Sequence, residues 1–172
     1  GDGLGGIGYL WFAPNNAGDD GTPNYLKLER ITLNKGSAKT KTIFNSPSEV
    51  TTQHTRSRVV QYDDDKVFYN EQNSGAMYKG VIINDETITW TNIGLTNQGS
   101  GATMFMLNGR EMLVYSSSTT TIKILDVTDV GNVISMGVYT PFTSASKSAQ
   151  VRGHFINVDN TDDYNANIYI FV

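Results

Sequence analysis

Cysteine is absent from the 172-residue chain, which excludes disulfide frameworks, thiolate nucleophiles and Cys-type metal sites together. Charge is scarce too, with Asp, Glu, Lys and Arg making up only 17% of residues. Thr, Ser, Asn and Gly stand where Ala, Leu, Glu and Lys would fill a helical protein, so good helix formers are few and strand formers many. No apolar run approaches the ~18 residues that a membrane-spanning helix needs, and membrane insertion is not expected. Gathered positive charge is missing as well. The net charge is −4 and the 13 basic residues are scattered. A duplex-binding surface needs them clustered to displace counterions from phosphate, so nucleic acid is not an expected partner. The nearest approaches to basic clusters, Lys39/Lys41 and Arg56/Arg58, alternate with Thr and Ser and read as the wet face of strands.

Two further absences bear on location. No Asn-x-Ser/Thr sequon occurs, which speaks against a eukaryotic secreted origin. No signal segment is visible, but Gly1 stands where Met would start a gene, so the reading assumes a processed or engineered start with an upstream targeting segment removed. The expected location is secreted, periplasmic or cell-surface.

What the chain does have is a succession of short alternating or apolar runs bounded by Gly, Asn, Asp, Ser and Pro. They predict strands at Ile7–Phe12, Tyr25–Leu33, Lys39–Phe44, Arg58–Tyr62, Lys66–Asn70, Ala76–Ile83, Thr87–Thr91, Ala102–Leu107, Glu111–Ser116, Thr121–Val127, Val133–Tyr139, Ala149–Val158 and Asn167–Val172. Tight-turn residues join several neighbours. Asn108-Gly109 supplies the positive φ angles of a type I′ hairpin turn at low steric cost, and Asp63-Asp64-Asp65 and Asn84-Asp85 mark two more turns.

The runs also repeat. Arg58–Tyr62 to Thr87–Thr91 form one set of four, and Ala102–Leu107 to Val133–Tyr139 form a second. The interval is ~40–45 residues, and a four-strand unit at that interval is the pattern of propeller blades. The predicted fold is all-β: consecutive four-stranded antiparallel sheets as in a β-propeller, supplying three to four blades, with a β-sandwich as the alternative. Residues 1–6 form a flexible leader, 7–45 a partial blade, 57–92 and 101–140 two blades, and 149–172 a further partial blade. A chain of so few blades is expected to be part of a larger propeller, whose exposed strand edges would invite self-association; the alternative is that its two ends meet and share a closing blade.

The stretch Glu111-Met-Leu-Val-Tyr-Ser-Ser-Ser, followed by Thr121-Ile-Lys-Ile-Leu-Asp-Val-Thr-Asp and Asn132-Val-Ile-Ser-Met-Gly-Val-Tyr139, resembles a blade of bacterial surface propellers of the LVIVD-repeat kind. Lys66–Trp90 follows the pattern loosely and lacks the Asp-Val-Thr-Asp element. The low-charge, Thr- and Asn-rich style is similar to uncharacterised secreted proteins of gut Bacteroidetes. The resemblance implies a fold and brings no catalytic residues with it.

Each candidate for chemistry has a plainer competitor. Gly1-Asp-Gly3-Leu-Gly-Gly6 matches a dinucleotide fingerprint in letters only, because a strand rather than a helix follows it. Asp63, Asp64 and Asp65 form one carboxylate cluster; Asp159, Asn160, Asp162, Asp163 and Asn165 form another. Calcium takes six to eight oxygens, and Asp159, Asp162 and Asp163 could supply several, but no EF-hand order is present and a solvated turn is the better reading. No cofactor is otherwise expected. His54 and His154 are the only histidines, and no Gly-x-Ser-x-Gly elbow accompanies them, so neither reads as part of a hydrolytic relay. The aromatic residues mostly read as core. Trp11 is the exception, because the long segment after it carries Asn15, Asn16, Asp19 and Asp20. A ring beside amides and carboxylates is the usual equipment for sugar, the ring packing on C–H faces while polar groups bind hydroxyls. The expected function is a non-catalytic extracellular module on a bacterial surface that binds glycan or protein through blade loops. The alternatives are part of a carbohydrate-active enzyme whose site is completed by missing blades, and a purely structural propeller.

Overall fold

The computed structural model describes residues 8–13, 27–33, 40–50, 57–71, 74–97 and 101–140. Eleven strands account for most of them: β1 (Gly8–Phe12), β2 (Lys27–Leu33), β3 (Thr40–Asn45), β4 (Arg58–Gln61), β5 (Lys66–Asn70), β6 (Ala76–Asn84), β7 (Thr87–Thr96), β8 (Ala102–Leu107), β9 (Arg110–Ser116), β10 (Ile122–Asp126) and β11 (Ile134–Tyr139). No helix occurs among the described residues. The two C-terminal strands predicted at Ala149–Val158 and Asn167–Val172 lie outside them, as does the 1–6 leader.

Three antiparallel sheets result, ordered β1-β2-β3, β4-β5-β6-β7 and β8-β9-β10-β11. The sets are those that the spacing of apolar runs predicts. Two compact units are present. The first holds β1 to β5, β6 from Tyr78 onward and β7 up to Thr91; the second holds the start of β6, the end of β7, and β8 to β11.

In the first unit, register assigns the faces of the N-terminal sheet. Trp11 lies opposite Arg30, which lies opposite Thr42, while Leu28 faces Phe44. Tyr9, Trp11, Leu28, Arg30 and Phe44 therefore share one face, because side chains alternate with period two. That face is the buried one at Leu28, Arg30 and Phe44. It is joined to the next sheet by two indole N–H groups. Trp11 Nε1 donates to Gln61 Oε1 at 3.0 Å, and Trp90 Nε1 donates to the Asn45 carbonyl at 3.0 Å. Gly80 makes room for the second of these, since a Cβ there would stand 2.5 Å from Ile88 Cγ2 and 2.7 Å from the Trp90 ring. Tyr69 packs at 6.1 Å from both Tyr78 and Trp90. Burial pushes the Tyr69 hydroxyl well above the usual tyrosine pKa range, and Tyr78 moves the same way for the same reason.

In the second unit, Asn108 and Gly109 adopt φ of 51° and 74° at the β8–β9 turn, the left-handed pair expected for Asn-Gly. Met104, Met112, Leu113, Val114, Ile122 and Val127 form the interior. Burial differs among the strands of both four-stranded sheets. From Val67 to Asn70 every residue of β5 is buried, as is every residue of β9 from Glu111 to Ser116, whereas β7 and β11 are largely exposed.

Candidate functional site

The densest polar and aromatic cluster among the described residues centres on Arg30. Its guanidinium carbon lies 4.9 Å from the ring centre of Tyr9, 5.8 Å from that of Trp11 and 5.0 Å from that of Phe44. Trp11 and Phe44 also touch each other, with centroids 5.2 Å apart and a 32° tilt. The cage follows from register: Arg30 sits between two aromatic strands, on the face that carries their rings. A cation held against aromatic faces gains electrostatically, and more so when water is excluded. The Arg30 side chain is only 10% exposed, yet its one acceptor among the described residues is Asp85 Oδ1, at 3.4 Å from Nη2. Arg30 Nε is buried with no hydrogen-bond partner among the described residues.

Asp85 belongs to the β6–β7 hairpin tip. The Asn84 side chain accepts the Glu86 N–H at 2.9 Å, a local bond that shapes the turn and presents Asp85 outward. Its side chain is 91% exposed. Between this tip and β3 runs an open groove of about 560 Å³, lined by Lys41, Thr42, Ile43, Asn45, Asp85 and Glu86. Lys41 pairs with Glu29 at 2.7 Å across the neighbouring strand. The Trp90–Asn45 bond fixes the end of β3 that borders the groove. The lining offers an ammonium, a hydroxyl, an amide, two carboxylates and one exposed aliphatic side chain. That set can bind hydroxyls and a C–H face; it contains no histidine and no thiol.

Trp11 is half-buried on β1, with its N–H committed to Gln61 and its ring to Phe44 and Arg30. Its expected companions Asn15, Asn16, Asp19 and Asp20 lie outside the described residues, and so do Asp159, Asp162 and Asp163, His54 and His154. Asp63, Asp64 and Asp65 are exposed in the β4–β5 turn, where Asp63 Oδ1 accepts the Asp64 N–H at 2.9 Å and Oδ2 lies 4.0 Å from Lys66 Nζ. No group of three or more His, Cys, Asp or Glu is placed to hold a metal among the described residues.

A second polar cluster lies in the second unit, on the Asp-Val-Thr element. Asp126 Oδ1 accepts the Thr128 N–H at 3.0 Å and its hydroxyl at 2.7 Å, while Oδ2 accepts Arg110 Nη1 at 3.1 Å. Thr128 Oγ1 in turn accepts the Glu111 N–H at 2.9 Å. Burial raises the Asp126 pKa, but the Thr128 bonds and the Arg110 charge outweigh it and hold the carboxyl below the ordinary range. The Asp126 carboxylate and the Thr128 hydroxyl are tied to neighbouring groups, so the cluster acts as a corner brace after β10.

The Arg30 cage escapes sequence reading because it depends on the register of three consecutive strands, and its acceptor Asp85 lies 55 residues away. A usable signal was the position of Arg30 on the same alternating face as Leu28, where an apolar residue is the norm. No helix of the described residues is long and apolar enough to cross a membrane. A scan against protein-family models and a search of curated proteins gave no match to this chain.

Proposed function

We propose that the chain is a non-catalytic propeller-type module of a bacterial surface and that the groove between β3 and the β6–β7 tip binds glycan. The observation that carries the binding reading is the lining of that groove: Lys41, Thr42, Asn45, Asp85 and Glu86 around exposed Ile43. Sugars need this mixture of donors, acceptors and an apolar surface for ring C–H groups. The groove is formed by an edge strand and a hairpin tip, the kind of position where a rigid β-scaffold displays contacts. The propeller reading draws on three supports. The sheets follow one another in sequence, their spacing matches that of blades, and the 111–139 stretch resembles an LVIVD-type blade.

The test is a glycan array probed with the purified chain and with a Thr42→Ala/Glu86→Ala variant. Binding without product formation, weakened at least ~10-fold in the variant with an unchanged far-UV CD spectrum, is the expected result. Retained binding in the variant removes the groove from the proposal. Appearance of cleaved product replaces the module with an enzyme.

A further inference from the structure

We infer that Arg30 is a preorganised anion receptor and that the glycan taken by the groove is an acidic one, whose carboxylate replaces Asp85 on the guanidinium. The inference rests on the groove reading and adds the chemical class of the ligand.

A guanidinium carries five N–H donors in one plane, in a fork that suits the two oxygens of a carboxylate. Tyr9, Trp11 and Phe44 stabilise the charge through their ring faces, but ring faces leave the in-plane N–H groups without oxygen acceptors. Nε has none among the described residues. The single bond from Nη2 to Asp85 Oδ1, at 3.4 Å, is long for a charge-assisted contact, which normally lies near 2.7–2.9 Å. A buried charged donor left without an acceptor is costly, far more than one exposed to water. Arg30 is thus fixed in place and short of acceptors.

Asp85 is suited to leave. It stands at a hairpin tip with its carboxylate 91% in water, so releasing it from Arg30 returns it to solvent with little desolvation to reverse. Asp85 also lines the groove, so an arriving ligand reaches it first. Lys41, also in the lining, lies on the opposite face of β3 from Arg30 and is paired with Glu29, so the guanidinium is the charge that selects the ligand, while Glu86 disfavours densely charged polyanions. The ligand that fits has one carboxylate per ring among neutral hydroxyls, as in a uronic-acid oligosaccharide.

The probes are trigalacturonate and its methyl ester, which share ring and linkage and differ in charge. Binding is measured by titration calorimetry, with tryptophan emission as a second readout because Trp11 touches Arg30. The free acid is expected to bind roughly tenfold more tightly than the ester, and Asp85→Ala is expected to raise that acid-over-ester ratio several-fold further. Arg30→Lys is expected to reduce the acid-over-ester preference below about twofold, since Lys lacks the planar fork. If Arg30→Lys fails to fold, Glu86→Gln is the control: it also removes a groove carboxylate but frees no guanidinium, so Asp85→Ala should raise the acid-over-ester ratio clearly more than Glu86→Gln, and equal gains overturn the receptor role of Arg30. Equal binding of acid and ester, or an acid-over-ester ratio that Asp85→Ala fails to raise, overturns the acidic-ligand inference and leaves the groove reading standing. Loss of all glycan binding on the array overturns both.

Discussion

Truncating Asp126 to Ala tests whether the corner after β10 is held by its carboxylate. The variant removes two bonds from Thr128 and one from Arg110. Hydrogen bonds to a buried charged group contribute roughly 1.5–3 kcal/mol each. The Arg110 pair adds little, ~0–1 kcal/mol, because that side chain is 57% exposed. Water reaching exposed Thr128 recovers part of the loss. A net destabilisation of about 3 kcal/mol follows, and a urea m-value of about 2 kcal/mol/M turns it into a midpoint shift of roughly 1.5 M. Far-UV CD is the appropriate probe, since both tryptophans belong to the other compact unit. Asp126→Asn keeps an acceptor and loses the charge, so its loss is expected at about half that of Ala. Acid supplies an independent check. The folded carboxyl has a lowered pKa, so its stabilisation is present above the unfolded value near 4 and disappears as pH falls through the folded one. The gap between the parent chain and Asp126→Ala should therefore close below pH ~4. A loss under ~1 kcal/mol at neutral pH, or a gap that persists in acid, refutes the brace.

Three further outcomes are expected. Gly80→Ala places a methyl group against Ile88 and the Trp90 ring, so it should cost ~1–3 kcal/mol and red-shift tryptophan emission as the Trp90–Asn45 bond opens. Gly75→Ala combines a φ of +72° with a Cβ 2.3 Å from the Asn97 carbonyl oxygen, and should lower the urea midpoint more than Gly109→Ala, whose Cβ meets nothing within 4 Å. Tyr69, held neutral by burial, should not ionise with the exposed tyrosines in a 295 nm titration. Its raised folded pKa contributes stability below the unfolded value near 10, lost as pH rises above it, so Tyr69→Phe should unfold less readily in alkali.

The fold was legible where local chemistry and tertiary need coincide. Asn108-Gly109 specified its turn because few residue pairs accept two positive φ angles. Strand identities were legible because a sheet repeats every two residues and the turn residues separate the runs. The end of β7 was not. Asn92 and Gly94 read as a stop after Thr91, yet the strand continues to Thr96. Asn92 Oδ1 accepts the Gly94 N–H at 2.8 Å and Gly94 takes φ +75°, so punctuation residues serve as a kink inside the strand. The irregular register at Ile124/Leu125 against β11 left no sequence trace at all. At the candidate site, counting charges misled. Arg30 reads as one more solvated cation until register sets it beside Trp11, and its acceptor lies 55 residues away on a hairpin tip. Pairing of that separation comes from packing between sheets, which composition and periodicity do not encode.

The neighbour-to-neighbour order of the strands has a kinetic consequence. Every ladder in the described sheets joins strands adjacent in the chain, so none waits for a distant segment to arrive. Closing a short loop costs little chain entropy, and the cost grows slowly with length. Each sheet can therefore zip up from its own turns, and only the docking of one sheet on another spans long separations. Such a protein should collapse sheet by sheet during synthesis and fold faster than all-β proteins whose strands cross over, in keeping with the dependence of rate on contact order.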